Sequence, residues 1–191
     1  MKKININSKG FTLIELLAVI TILGILMMVA IPNVTRTIEN SRRDTFADVA
    51  QSYINSVRNS VLANELKCYR PGVTGSTDVA ATGKGIYYFA ISTKQGDAAY
   101  QQTTDMMESG GKSSWGNADV HGYVVWRKTE VQRNGTTETK TAYSITLSDT
   151  GNHGTNGEIV DQQIKRTSIA TSGKNAPLKP TDTGAVECKL A

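Results

Sequence analysis

A chain of 191 residues with 39% hydrophobic and 20% charged residues has room for one modest core plus an extended element, and not for two large domains. The formal charge of +4 invites a nucleic-acid reading, but Lys2, Lys3 and Lys9 all stand in the first ten residues, and without them only +1 remains. A near-neutral remainder with no basic stripe gives charge no part in an argument for a nucleic-acid partner, and none is expected.

The opening MKKININSKG is short, polar and positive. Residues 11–31, FTLIELLAVITILGILMMVAI, follow with Glu15 as their one ionisable side chain. At 1.5 Å per residue such a run spans about 30 Å, the thickness of a bilayer's hydrocarbon core. The positive-inside rule keeps residues 1–10 cytoplasmic and sends residues 33–191 outward. An ordinary secretory signal peptide would have a shorter apolar run closed by a small-residue cleavage site, and the following PNVTRTIEN offers none. A plain uncleaved anchor remains open, but it leaves Glu15 unexplained. A carboxylate at the centre of a membrane helix costs about 2.5–3.5 kcal/mol, and somewhat less near the interface, so it calls for a partner. Glu15 lies about one helical turn after Phe11, and a cut after Gly10 would create a positive amine of the kind that could partner such a carboxylate, in this chain or in a neighbouring copy.

Gly10-Phe11-Thr12-Leu13-Ile14-Glu15, preceded by a Lys-rich leader and followed by an apolar run ending at Pro32, resembles the prepilin signature of type IV pilins and related pseudopilins. The likeness is to a major type IV pilin above all. It implies that a prepilin peptidase cleaves between Gly10 and Phe11 and N-methylates Phe11. It also implies that Glu15 pairs with the amino terminus of an adjacent subunit during assembly, and that the packed helix kinks or loosens at Pro32, as the missing backbone donor of proline would allow. The implied partners are that peptidase, identical subunits in a helical homopolymer, a pilus assembly platform with its motor, and the cytoplasmic membrane before assembly. The implied fold is α+β: a long N-terminal helix, half transmembrane and half amphipathic, packed on a small antiparallel β-sheet head. The domains are then a cleaved leader over residues 1–10, a transmembrane or filament-core helix over 11–32, an amphipathic helix over 33–66, and a loop region with the sheet head over 67–191.

The residues beyond Pro32 fit this division. Val34 and Ile38, then Phe46, Val49, Tyr53, Val57 and Val61, recur at spacings of three and four and predict one helix face. The Arg42-Arg43-Asp44 cluster interrupts the stripe and reads as a solvated or inter-subunit surface. Residues 67–118 are rich in Gly, Ser, Thr and Asp and read as a long loop region around one strand, residues 85–91. Residues 120–131 and 139–147 read as strands, and Asn134-Gly135 between them predicts a hairpin turn. Residues 158–165 read as a short strand or helical turn, and the tail to Cys188 as mostly irregular. Cys68 and Cys188 are the only cysteines. On the outer side of a membrane they suggest a disulfide, although two cysteines alone also admit a pair of free thiols.

Catalytic patterns fail on inspection. His121 and His153 have no second histidine at helical spacing, so no catalytic zinc site is expected. Gly111-Lys112-Ser113 looks like the end of a phosphate-binding loop, but Met106 stands where its first glycine belongs. The oxygen-rich loop 149–158, with Asp149, Asn152, Asn156 and Glu158, lacks the EF-hand spacing and reads as a turn-forming loop. Tyr87, Tyr88, Trp126 and Trp115 are expected mostly in the core. No metal, no cofactor and no enzymatic activity is expected. The functional expectation is a filament subunit serving adhesion, motility, aggregation or biofilm formation. A pseudopilin of a type II secretion system or a DNA-uptake pilin is the alternative, and a membrane-tethered enzyme or sensor is the rival from another class.

Overall fold

The computed structural model describes residues 10–69, 74–75, 77–78, 84–107, 111–116 and 118–191. Residues 1–9, most of the expected leader, lie outside it, as do parts of the loop region expected over 67–118. The chain divides into two compact units, Met1–Asn40 and Ser41–Ala191. Helix α1, Leu13–Leu62, runs through the division and through Pro32 as one helix. This is shorter than the helix expected to residue 66, and the cause is local. Asn64 takes a left-handed φ of 60°, Glu65 N donates to Ser60 O at 2.9 Å and Asn64 N to Val61 O at 3.3 Å. That is a Schellman closure, with asparagine in the place glycine usually fills. The chain released by it enters β1, Leu66–Tyr69.

From Leu13 to Ile31 the helix is apolar but for Glu15 and Thr21. An 18-residue window reaches a mean hydropathy of 2.7 and none of it is buried within the chain. Hydroxyl and amide side chains in and just after this run bond back to the helix: Thr21 Oγ1 donates to Ala18 O at 2.8 Å, Asn33 Nδ2 to Val29 O at 3.2 Å and Thr35 Oγ1 to Ile31 O at 3.0 Å. Polar groups that satisfy themselves in this way lower the cost of immersion in an apolar medium.

In the second unit Phe46, Ala50, Tyr53, Ile54 and Val57 of α1 are buried at helical spacing. They join a core with Tyr87, Phe89 and Ile91 of β3 (Gly85–Ser92), Val120, Val124 and Trp126 of β4 (Val120–Arg133), and Ile145 and Leu147 of β5 (Thr136–Asp149). Alternate residues of each strand supply these contacts, as a pleated sheet with one face on a helix requires. The hairpin expected at Asn134-Gly135 is there, with Arg133 opposite Thr136 and φ of 51° and 80° at the two turn residues, the positive values of a type I′ turn.

The sheet is larger than expected. Among the described residues it has nine strands: β2 (Thr77–Asp78), β1, β9 (Val186–Leu190), β3, β4, β5, β6 (Gly154–Thr155) and β8 (Ile169–Ala170) in spatial order, with β7 (Ile159–Val160) beside β5. Nor is it purely antiparallel, since β9 lies parallel to β3. The region expected as loop over 67–118 thus contributes β1, β2, β3 and a short helix α2, Tyr100–Met106. The tail expected to be irregular ends as a strand inside the sheet.

On its way there the tail crosses the sheet face opposite α1. Ala176 N donates to Ser148 Oγ at 2.6 Å, His121 Nε2 lies 3.0 Å from Asn175 Oδ1, and Arg127 Nη2 donates to Asp182 Oδ2 at 3.0 Å. Tyr123 and Val125, on that face of β4, are buried. β9 then inserts between β1 and β3, placing Cys188 directly opposite Cys68, where the two form a buried disulfide. The loop it closes has a sequence separation of 120, for which the chain-entropy model gives about 4–5 kcal/mol before any native strain is subtracted. Replacing Cys188 with Ser is therefore expected to destabilise this unit by about 2–5 kcal/mol, read as a lowered unfolding midpoint. An unchanged midpoint would show that β9 is held without the disulfide.

Candidate processing and assembly site

Gly10 and Phe11 precede the first turn of α1. Both are exposed, Phe11 at 89%, and a Cβ added at Gly10 would meet nothing within 4 Å. The Gly10–Phe11 bond therefore lies in non-helical chain outside the first turn.

The helix itself starts on a reciprocal capping box, Thr12-x-x-Glu15. Glu15 Oε2 accepts from Thr12 N at 2.7 Å and from Thr12 Oγ1 at 2.8 Å, while Glu15 N donates to Thr12 Oγ1 at 3.3 Å. Two of the orphan donors of the first turn are satisfied by this exchange, and a carboxylate sits at the positive end of the helix dipole. The sequence reading assigned Glu15 only to a positive partner and missed this second role. The Ser/Thr-x-x-Glu pattern ahead of an apolar run was the signal that could have found it. From Leu13 to Ile38 the large apolar side chains of α1 stay exposed in the single chain, among them Leu13, Ile14, Met28, Ile31 and Val34.

The remaining residues singled out from the sequence lie in the second unit, where they are bound into its structure. Asp44 takes Arg166 in a two-point contact at 2.8 and 2.5 Å, and Ser114 Oγ donates to Arg42 O at 2.7 Å. Gly111, at φ 53°, lets the chain pass over Tyr53, whose hydroxyl donates to Gly111 O at 3.1 Å; a Cβ there would come within 2.1 Å of that hydroxyl. Lys112 pairs with Asp119. Ser113 donates to Asp149 Oδ2 at 2.6 Å. The tripeptide that looked like a phosphate loop is thus a set of three anchors.

Asp149 is buried and fully engaged. Its Oδ1 accepts from Gly151 N at 2.9 Å and His153 N at 2.8 Å, and His153 Nδ1 lies 2.8 Å from Oδ2. The His153 ring stacks on Trp115 at 4.4 Å, and Trp115 in turn meets Phe46 at 5.6 Å. Serine, aspartate and histidine meet here with the aspartate in the middle, whereas nucleophilic catalysis needs the histidine between the other two. Glu158, at the other end of the same loop, is drawn instead to Arg127 and to Ser144 Oγ at 2.5 Å. The two carboxylates considered as ligands from the sequence are therefore held by different partners, and among the described residues no cluster of His, Cys, Asp and Glu suits a metal. Tyr87 and Trp126 are core, and Tyr88 lines a cleft of about 400 Å³ with Ala90, Pro177, Leu178 and Glu187.

Comparison with known proteins adds one finding. Residues 5–31 match the family model of the prokaryotic N-terminal methylation motif. No curated protein and no solved structure matches the chain. The matched segment holds the end of the expected leader, Gly10, Phe11, the capping box and most of the apolar run, so the chain carries a type IV pilin-like prepilin signal. That signal precedes a long N-terminal helix and an antiparallel-dominated sheet, an α+β architecture consistent with the pilin fold.

Replacing Thr12 with Val is expected to speed amide exchange in the first turn of α1 by about fivefold, the loss of one N-cap interaction. Unchanged exchange would mean that the box does not hold the helix start. Acid should weaken the second unit. Hydrogen bonds from Arg166 hold Asp44 below its ordinary 3.8. Burial pushes Glu158 up, but hydrogen bonds from Arg127 and Ser144 and the guanidinium charge outweigh it and leave it below 4.5. Both values are depressed by folding, so the stability they add is whole above these ordinary values and is lost as pH falls through the lower folded ones. The unfolding midpoint should fall below about pH 4, and less steeply in an Arg127→Gln chain. The same acid slope in that variant would contradict this.

Proposed function

We propose that this chain is a structural subunit of an extracellular type IV pilus filament, supporting adhesion, surface motility, aggregation or biofilm formation. It waits in the cytoplasmic membrane as a single-pass precursor, is cleaved between Gly10 and Phe11 and N-methylated at Phe11 by prepilin peptidase, and is then drawn by an assembly platform and motor into a homopolymer cored by α1. One observation carries this reading: a prepilin signal opens a helix whose apolar half is left unburied by the described residues of its own chain. A bilayer covers that surface before assembly, and copies of the same helix cover it afterwards. The bound-up state of Asp149, His153 and Ser113 supports a structural role rather than an enzymatic one.

In this mechanism Glu15 acts twice. It caps its own helix through Thr12 in the precursor, and in the filament its charge meets the new amine of a neighbouring Phe11. Pro32, whose ring nitrogen has no hydrogen to give Met28 O, is the point at which the packed helix can loosen. The two roles of Glu15 separate by substitution. Glu15→Gln keeps an acceptor that serves a capping box and removes the charge. The expected result is a precursor that is still inserted and cleaved, with filaments sheared from cells reduced at least about tenfold. Wild-type filament yield from the Gln chain would remove the charge from the mechanism. A pseudopilin of a secretion system or a DNA-uptake pilin would use the same signal, and would leave the processed chain in the envelope in place of the sheared fraction.

A further inference from the structure

β4 and β5 run together for their full length, but their neighbours do not follow. β3 accompanies β4 only to Gly85 opposite Lys128, and β7 meets β5 only at Ser144 and Ile145. The arm left over, residues 129–142, is exposed apart from half-buried Val131. In a hairpin with a two-residue turn the flanking pair, Arg133 and Thr136, is hydrogen-bonded, and the bonding alternates from there. The backbone groups of Thr136, Glu138 and Lys140 thus face β4, and those of Thr137, Thr139 and Thr141 face outward. Among the described residues no strand pairs with this outer edge.

A bare strand edge of threonines, good β-formers, is a template for another strand, and proteins usually guard such an edge with charge. Here the charges select a partner. We propose that the outer edge of β5 is a self-pairing surface, joining the sheets of two copies of this chain antiparallel about Thr139. With Thr139 opposite its own copy, Thr137 and Thr141 face each other as hydrogen-bonded pairs. Glu138 and Lys140 then oppose each other as non-hydrogen-bonded pairs, the kind that brings side chains closest. Sliding one copy by a single pleat in one direction sets Glu138 against Glu138, and in the other direction Lys140 against Lys140. Both flanking registers are repulsive, and the register about Thr139 sets opposite charges against each other twice. No ion pair engages Glu138 or Lys140 among the described residues, so both remain available for it. A two-fold contact of this kind closes on itself and does not propagate. In a filament it would tie one filament's subunit to that of another.

The test uses the full-length chain in detergent micelles, oxidised and run on a non-reducing gel. Its native cysteines are both in the disulfide, so added thiols report alone. Thr139→Cys is expected to cross-link to itself. Thr137→Cys and Thr141→Cys should each stay monomeric alone and cross-link when mixed. In the Thr139→Cys background, Glu138→Lys or Lys140→Glu should slow cross-linking about tenfold, and both together should restore it. Failure of the Thr139→Cys chain to dimerise with its native disulfide intact would overturn the proposal. So would equal dimerisation of the Thr137→Cys chain alone, or indifference to the charge changes. The outcome is separate from the filament reading: dimers without filaments would keep this inference and sink that one, and filaments without dimers would do the reverse.

Discussion

An apolar helix surface that its own chain leaves bare must be covered by something else, and the rest of the molecule is arranged around that requirement. The exposed run on α1 is too long and too uniformly apolar to be an accident of a soluble domain, and hydroxyl and amide side chains within it turn their hydrogen bonds inward. Glu15 is the exception that gives the run direction. It stands at the N-terminal end, where the helix dipole and two Thr12 donors stabilise a negative charge without any second molecule. In the proposed precursor the carboxylate is thus stabilised before any assembled partner is present.

The second unit solves a different problem, that of keeping a sheet intact when its final strand arrives from the far end of the chain. β9 is inserted between β1 and β3, and among the described residues β1 with β2 is attached to the rest of the sheet only through it. The order in space therefore joins the segment just after α1 to the segment just before the C-terminal residue, and the Cys68–Cys188 disulfide fixes that join. The crossing segment is held on the outer face by Arg127, His121 and Ser148. Loss of the disulfide or of the Arg127 contacts would free the same closing strand by two routes.

Much of this was legible in the sequence because it rests on local chemistry. The membrane-length run, the Gly10 to Glu15 signature, the helical stripe from Phe46 to Val57 and the Asn134-Gly135 turn are all written within a few residues of one another. What was missed depends on partners distant in the chain or on a residue in an uncommon role. Asn64 closes α1 where no glycine marks the end. β9 could not be read as an interior strand because its pairing with β1 joins residues 120 apart in sequence, and its parallel pairing with β3 leaves no hairpin signal. Asp149 and Glu158 looked like members of one oxygen-rich loop, yet the fold gives the first to Ser113 and His153 and the second to Arg127. Spacing along the chain cannot distinguish a shared ligand from two separate anchors.

The central claim is that α1 is first a membrane helix and then, after one cut, the core of a filament. An intact mass of the most abundant protein in filaments sheared from the native cell surface tests it most directly. The account requires a dominant species that begins at methylated Phe11 and ends with the Cys68–Cys188 disulfide formed. Finding the chain only in membranes, with residues 1–10 still attached, would contradict it.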